Sequence, residues 1–187
     1  SITQFINLKS PVSLSTNNLS IKFSGGKIIK LPDLDIKAGE KILLTGDSGS
    51  GKTTLFKIIL EKIKPNTGTI SFRNKNGQKI DQNEAKIGYI PQDPILFPDS
   101  IKNNITMFDA SLNNKVATYI NKFSFKNDIQ KMPLKLETKL EVQNLNISGG
   151  QRQKIILSRA CIHNDTFLLI DEGTSAIDQK ATLEILQ

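Results

Sequence analysis

Eight residues restrict this chain more than any others: Gly46-Asp47-Ser48-Gly49-Ser50-Gly51-Lys52-Thr53. They spell G-x-x-x-x-G-K-T. Glycines at that spacing let backbone N–H groups turn inward around phosphate oxygens. Lys41-Ile42-Leu43-Leu44-Thr45, just before, reads as a short buried strand. Residues 53–63, just after, read as a helix, with Leu55, Ile58, Ile59 and Ile63 at helical spacing. A chance Gly/Ser-rich surface turn would have no reason to sit between those two elements. The helix start adds its positive dipole end to the loop. Lys52 is expected to reach the β- and γ-phosphates, Thr53 to place its hydroxyl on Mg²⁺, and Thr54 to complete the nucleotide-binding run.

A second acidic motif fits the first. Phe167-Leu168-Leu169-Ile170-Asp171-Glu172 is an apolar run ending in two acids, about 120 residues beyond the loop. A buried parallel strand delivers a carboxylate at its C-terminal end, where open α/β sheets bind their ligands. Asp171 is expected to steady Mg²⁺. Glu172, projecting differently, is expected to take a proton from the attacking water.

Between and around these motifs the pattern changes character. Residues 19–23, 28–31 and 34–36 alternate and are broken by Gly25-Gly26, Pro32-Asp33 and Gly39, an antiparallel strand set. Asn74-Lys75-Asn76-Gly77 reads as a hairpin turn, and residues 87–90 as a short strand stopped by Pro91. From about residue 94 to 146 the chain is expected to be mainly helical, with helices near 101–108 and 113–123. A further helix is expected over 151–161, with Ile155, Ile156 and Leu157 as its apolar face. At 187 residues this is one α/β domain, with sub-lobes at about 16–92, 93–150 and 151–187.

Composition narrows the setting. The single cysteine, Cys161, excludes an internal disulfide and sits in an apolar segment that suggests burial. No run of about 18 apolar residues is present, so the chain alone is expected to be soluble. The net charge of +7 comes from lysines scattered along the sequence rather than gathered in a stripe with aromatics, so a nucleic-acid partner is not expected.

Ser148-Gly149-Gly150-Gln151, preceded by Ile147 and followed by Arg152-Gln153, resembles the signature motif of ATP-binding cassette (ABC) proteins. On its own it is a second helix start suited to an anion. The resemblance covers nearly the whole chain. It implies a P-loop NTPase core, an N-terminal antiparallel β-subdomain and a helical signature subdomain. It also implies ATP and Mg²⁺ as ligands, with two chains sandwiching two ATP molecules head to tail. Ser148, Gly149, Gly150 and Gln151 would then act on the partner's ATP. By the same resemblance Gln92 looks like the glutamine that senses metal and water. Asp178, in Ser175-Ala176-Ile177-Asp178, looks like part of the loop that crosses the dimer interface. Phe23 stands where the family has an aromatic that stacks on adenine; a plain core Phe is the rival reading.

The stretch Ile95-Leu96-Phe97-Pro98-Asp99-Ser100-Ile101 is similar to ABC exporters, where it faces the membrane domain. The resemblance therefore implies the ATPase domain of an exporter at the cytoplasmic face of the cell membrane, with a transmembrane domain in the same polypeptide. A soluble ABC ATPase acting on nucleic acid or ribosomes is the alternative. Two departures bear on this. Glu141 lies one place early against the exporter pattern before the signature, and the glycines of that pattern are missing. The family's switch histidine lies beyond Gln187, and His163 precedes Asp171 and cannot replace it. A C-terminally truncated fragment, poorly active by itself, is the expectation.

Overall fold

The computed structural model describes residues 11–38, 51–91, 93–141, 143, 146–163 and 167–171. The expected strand at 41–45 lies outside them. The chain divides into two compact units, Ser1–Ile87 and Gly88–Gln187.

The first unit is built on a long strand, β1 (Ser13–Lys22). One end of it pairs with β2 (Ile28–Lys30) and the other with β3 (Asp35–Ile36), both antiparallel. Its opposite edge pairs antiparallel with β4 (Thr67–Arg73), which turns back into β5 (Lys79–Ile80). The hairpin turn is set by Asn74: its side-chain oxygen accepts from the backbone of Asn76 and Gln78, both at 3.0 Å, and Gly77 takes φ +76°.

β1 begins six residues earlier than the alternation from Leu19 predicts. The reason is a bulge. Leu14 and Thr16 are buried, and so are Leu19 and Ile21, an even pair and an odd pair on one strand. The register to β4 shifts between Asn17 and Ser20, and Asn18 sits at φ +50°. That irregularity resets the phase so both pairs face inward. Gly68 lies against it. A Cβ there would be 2.5 Å from the backbone oxygen of Asn17, and its φ is +91°. Buried Thr16 is satisfied: its hydroxyl accepts from Leu34 N at 2.8 Å.

Helix α1 (Lys52–Ile59) buries Leu55, Phe56, Ile58 and Ile59, the face its spacing predicts. It stops short of residue 63 because Leu60 caps it and Glu61 takes φ +55°. The Gln82 side-chain amide donates to Ile59 O at that end. Gln82 opens the short helix α2 (Gln82–Ala85), capped by Asp81.

Three of the four residues of β6 (Ile87–Ile90) belong to the second unit, and the strand neighbours β7 (Phe167–Ile170). The helices are α3 (Ile101–Thr106), α4 (Val116–Lys122), α5 (Lys126–Lys131) and α6 (Gly149–His163). Helix α6 packs on α3 and α4. Ile155, Ile156, Leu157 and Cys161 are buried there, as are Ile101, Ile105, Val116 and Phe125. The helix expected at 101–108 ends at Thr106, because Met107 and Phe108 both take positive φ, 53° and 64°. The one expected at 113–123 is divided into a 3-10 turn, Ala110–Lys115, and α4. Helix α6 is longer at both ends than expected, with His163 as its last residue. Among the described residues no helix is long and apolar enough to cross a membrane.

Candidate nucleotide-binding site

The N-terminus of α1 has the backbone its sequence predicts. Gly51 takes φ +92°, a left-handed conformation, and a Cβ there would lie 3.1 Å from the side chain of Leu31. That backbone lets the chain turn sharply into the helix at Lys52. Among the described residues no side chain caps the helix, and no acidic residue stands in its first turn. The electropositive end is thus suited to an anion from outside the chain. Thr53 is exposed, and Lys52 and Thr54 are half-buried. Of the remaining loop residues, Gly46, Asp47, Ser48, Gly49 and Ser50 lie outside the described residues.

In the second unit Asp171 stands at the end of β7 and is only 6% exposed. Its backbone N–H donates to Ile90 O at 2.8 Å, which fixes it beside the end of β6. The Tyr89 hydroxyl donates to its Oδ2 at 3.4 Å. Burial first, and then the Asp171 charge, push the Tyr89 hydroxyl's pKa up, so it remains a donor. Glu172, Gln92 and Asp178 lie outside the described residues.

The signature string forms the start of α6. Ser148 caps it: its Oγ accepts from Gln151 N at 3.1 Å, while Gln151 Oε1 accepts from Ser148 N at 3.0 Å. This reciprocal pair is a capping box. A Cβ on Gly149 would meet nothing within 4 Å, and one on Gly150 only Ser148 Oγ at 3.9 Å. Packing among the described residues does not demand glycine at either place, and the bare backbone leaves that end of α6 open to close approach.

Two arginines of α6 hold the segment that follows position 93. Arg152 donates to Pro94 O at 2.6 Å. Arg159 donates to Ile95 O at 2.6 Å and Asn104 O at 2.7 Å, and lies 5.6 Å from the Phe97 ring centre. Burial, then neighbouring Arg152, lowers the Arg159 pKa from its high ordinary value. Buried Asn104 ties the same segment together, accepting from Phe97 N at 2.8 Å and donating to Phe97 O at 3.0 Å. Ile95, Met107 and Phe108 are left exposed. Ile95 and Met107 line one shallow groove of about 210 Å³. Phe23 is 42% exposed beside the Gly25-Gly26 turn, so it is not a core residue.

The sequence pattern does not single out Tyr89, Asp128 or Arg159. Each acts through a partner 82, 23 or 55 residues away, and no local spacing marks such a pair.

The family model described as ABC transporter matches residues 29–175. The chain belongs to the ABC transporter family. It is an ATP-binding domain of that family, and so an ATP-hydrolysing one. Among its relatives is the microcin-J25 export ATP-binding/permease protein McjD of Escherichia coli, 38% identical over 97% of this chain and 32% of that protein. The lactococcin transport/processing ATP-binding protein LcnC-like of Lactococcus lactis subsp. lactis (strain IL1403) is 32% identical over 99% of this chain and 27% of its own length. The probable multidrug resistance ABC transporter ATP-binding/permease protein YheI of Bacillus subtilis (strain 168) is 32% identical over 97% and 32%. The chain therefore spans between 27% and 32% of these relatives. A bacterial Atm1-family ABC exporter solved with ATP bound shares the fold, with a TM-score of 0.72 at 24% identity over 98% of this chain and 33% of that one. That fold is an α/β P-loop fold combining an antiparallel sheet, a parallel sheet and helices.

Proposed function

We propose that this domain supplies the ATP-driven step of an ABC exporter. The observation that carries the reading is a pair of helix starts suited to anions, α1 behind Gly51 and α6 behind Ser148, in a chain whose relatives are named for export and transport. Lys52, Thr53 and the loop amides hold the phosphates. Ser148 and Gly150 act on the nucleotide of a second copy. Phe23, exposed on its turn, offers a ring face to adenine.

Mg²⁺ suits the carboxylate of Asp171, a hard oxygen donor that is nearly buried at the end of β7. When bound, it neutralises charge on the phosphates. Asp171 and the Thr53 hydroxyl would hold it, Gln92 would sense it, and Glu172 would take the proton of the attacking water.

The partner proposed for the exposed Ile95, Met107 and Phe108 is a transmembrane domain, at the cytoplasmic face of a cell membrane. Two relatives carry ATP-binding and permease functions in their names, which supports a fused arrangement.

Glu172→Gln tests the catalytic assignment. It is expected to leave ATP binding unchanged, to lower turnover at least a hundredfold, and to accumulate an ATP-bound dimer visible by size-exclusion chromatography. Steady-state hydrolysis at the parental rate would refute the role.

A further inference from the structure

We infer that Asp128 is a positioning residue for the signature motif, although it lies 20 positions upstream of Ser148 and belongs to no nucleotide motif. The inference rests on the reading that Ser148 acts on a partner's ATP.

Asp128 sits on α5 and is half-buried. Its Oδ1 accepts from Gln151 Nε2 at 3.1 Å, and its Oδ2 accepts from Lys154 Nζ at 3.3 Å. Burial alone would raise its pKa, but the hydrogen bonds from Gln151 and Lys154 and the Lys154 charge outweigh that and hold it below the usual carboxylate value. It is therefore an acceptor on both oxygens at neutral pH, with no proton to donate.

That fixes the Gln151 amide. With Nε2 committed to a carboxylate, Oε1 must point the other way, where it accepts from Ser148 N at 3.0 Å. The capping box closes, and Ser148 Oγ accepts from Gln151 N. Its own hydrogen is then the one left to donate outward. Without the carboxylate, Gln151 can turn its amide over, which would set Nε2 against Ser148 N, donor against donor. The box would open, and the hydroxyl would lose its fixed direction. Lys154 anchors Asp128 from the other side, and also donates to Ser124 O at 3.1 Å.

The test uses the full-length protein in five variant forms: Asp128→Leu, which keeps the branched side-chain skeleton but cannot accept a hydrogen bond; Asp128→Asn; Gln151→Ala; the Asp128→Leu/Gln151→Ala double; and Ser148→Ala. Three quantities are measured: kcat, equilibrium binding of a fluorescent ATP analogue to the separated monomer, and Tm. Asp128→Leu is expected to lower kcat about tenfold, the scale of losing a hydrogen bond to a charged group, with analogue affinity unchanged. The double variant is expected to be no slower than Gln151→Ala alone, because both changes remove one unit. Asp128→Asn, which keeps an acceptor for Gln151, is expected to recover most of the loss. A purely structural role would lower Tm and analogue binding together, and would not produce this non-additivity.

The inference is overturned if Asp128→Leu stays within twofold of the parent, if its effect multiplies with that of Gln151→Ala, or if Asp128→Asn folds yet is as slow as Asp128→Leu. Ser148→Ala separates the two levels. If it is slow while Asp128→Leu is not, only the positioning role fails; if it is as fast as the parent, the signature reading fails and takes the positioning role with it.

Discussion

Gly68 shows how one residue type can be dictated by a distant backbone irregularity. The Asn17–Asn18 bulge pushes a carbonyl to within 2.5 Å of where its Cβ would be. The positive φ of +91° adds a second objection to any side chain. Gly68→Ala must therefore displace backbone on β1 or β4 and accept strain at φ. A loss of at least about 2 kcal/mol is expected, measured by urea unfolding. Gly77→Ala is the comparison. It also has positive φ, +76°, but a Cβ there meets nothing within 4 Å, so its loss should be smaller. Equal losses at both sites would mean that φ alone decides and that the bulge is not held rigidly.

At the level of elements, legibility follows the range of the forces involved. The helix after the phosphate loop, the 74–77 turn and the 87–90 strand can be read from local pattern, since local apolar spacing and turn chemistry determine them. The first half of β1 cannot, because a bulge breaks the alternation on which strand prediction depends. Helix α5 has only one buried residue, Ile129, and so no apolar stripe to read. The candidate site divides in the same way. Lys52, Thr53, Ser148, Gly150 and Asp171 belong to contiguous motifs, whereas Asp128 and Arg159 act across folded distances. Arg159 is the element-scale example, for it joins α6 to two carbonyls of the 95–104 segment. Arg159→Met keeps a stem of similar length and removes the donors. It would leave Ile95 O and Asn104 O without this partner and free the Phe97 ring from its cation. Faster amide hydrogen exchange is expected in α3, at least tenfold at Ile101 and Asn104, with little change in β1 and β4. Uniform acceleration across both units would indicate global destabilisation instead.

For the whole molecule, charge and the two helix starts lead to one expectation about assembly. A single nucleotide has one terminal phosphate, yet the chain offers α1 in one unit and α6 in the other. On the proposed reading a second copy resolves the excess, each signature serving the other's ATP. Each copy has a net charge of +7, so two of them repel at low ionic strength. Bound anionic nucleotide reduces that repulsion, and salt screens it over a Debye length of about 8 Å at physiological strength. Hydrolysis should therefore rise faster than linearly with protein concentration, and the curved region should move to lower concentration as salt increases from about 20 to 150 mM. A chain working on nucleic acid would respond in the opposite sense, because salt weakens phosphate contacts through counterion release. The salt series, read as the concentration at half-maximal specific activity, separates the two. A shift to lower concentration supports ATP-driven pairing of like-charged domains. A rate linear in concentration at every salt level would mean that one copy completes the site alone, and the proposed action of Ser148 and Gly150 on a second copy's nucleotide would have to be abandoned.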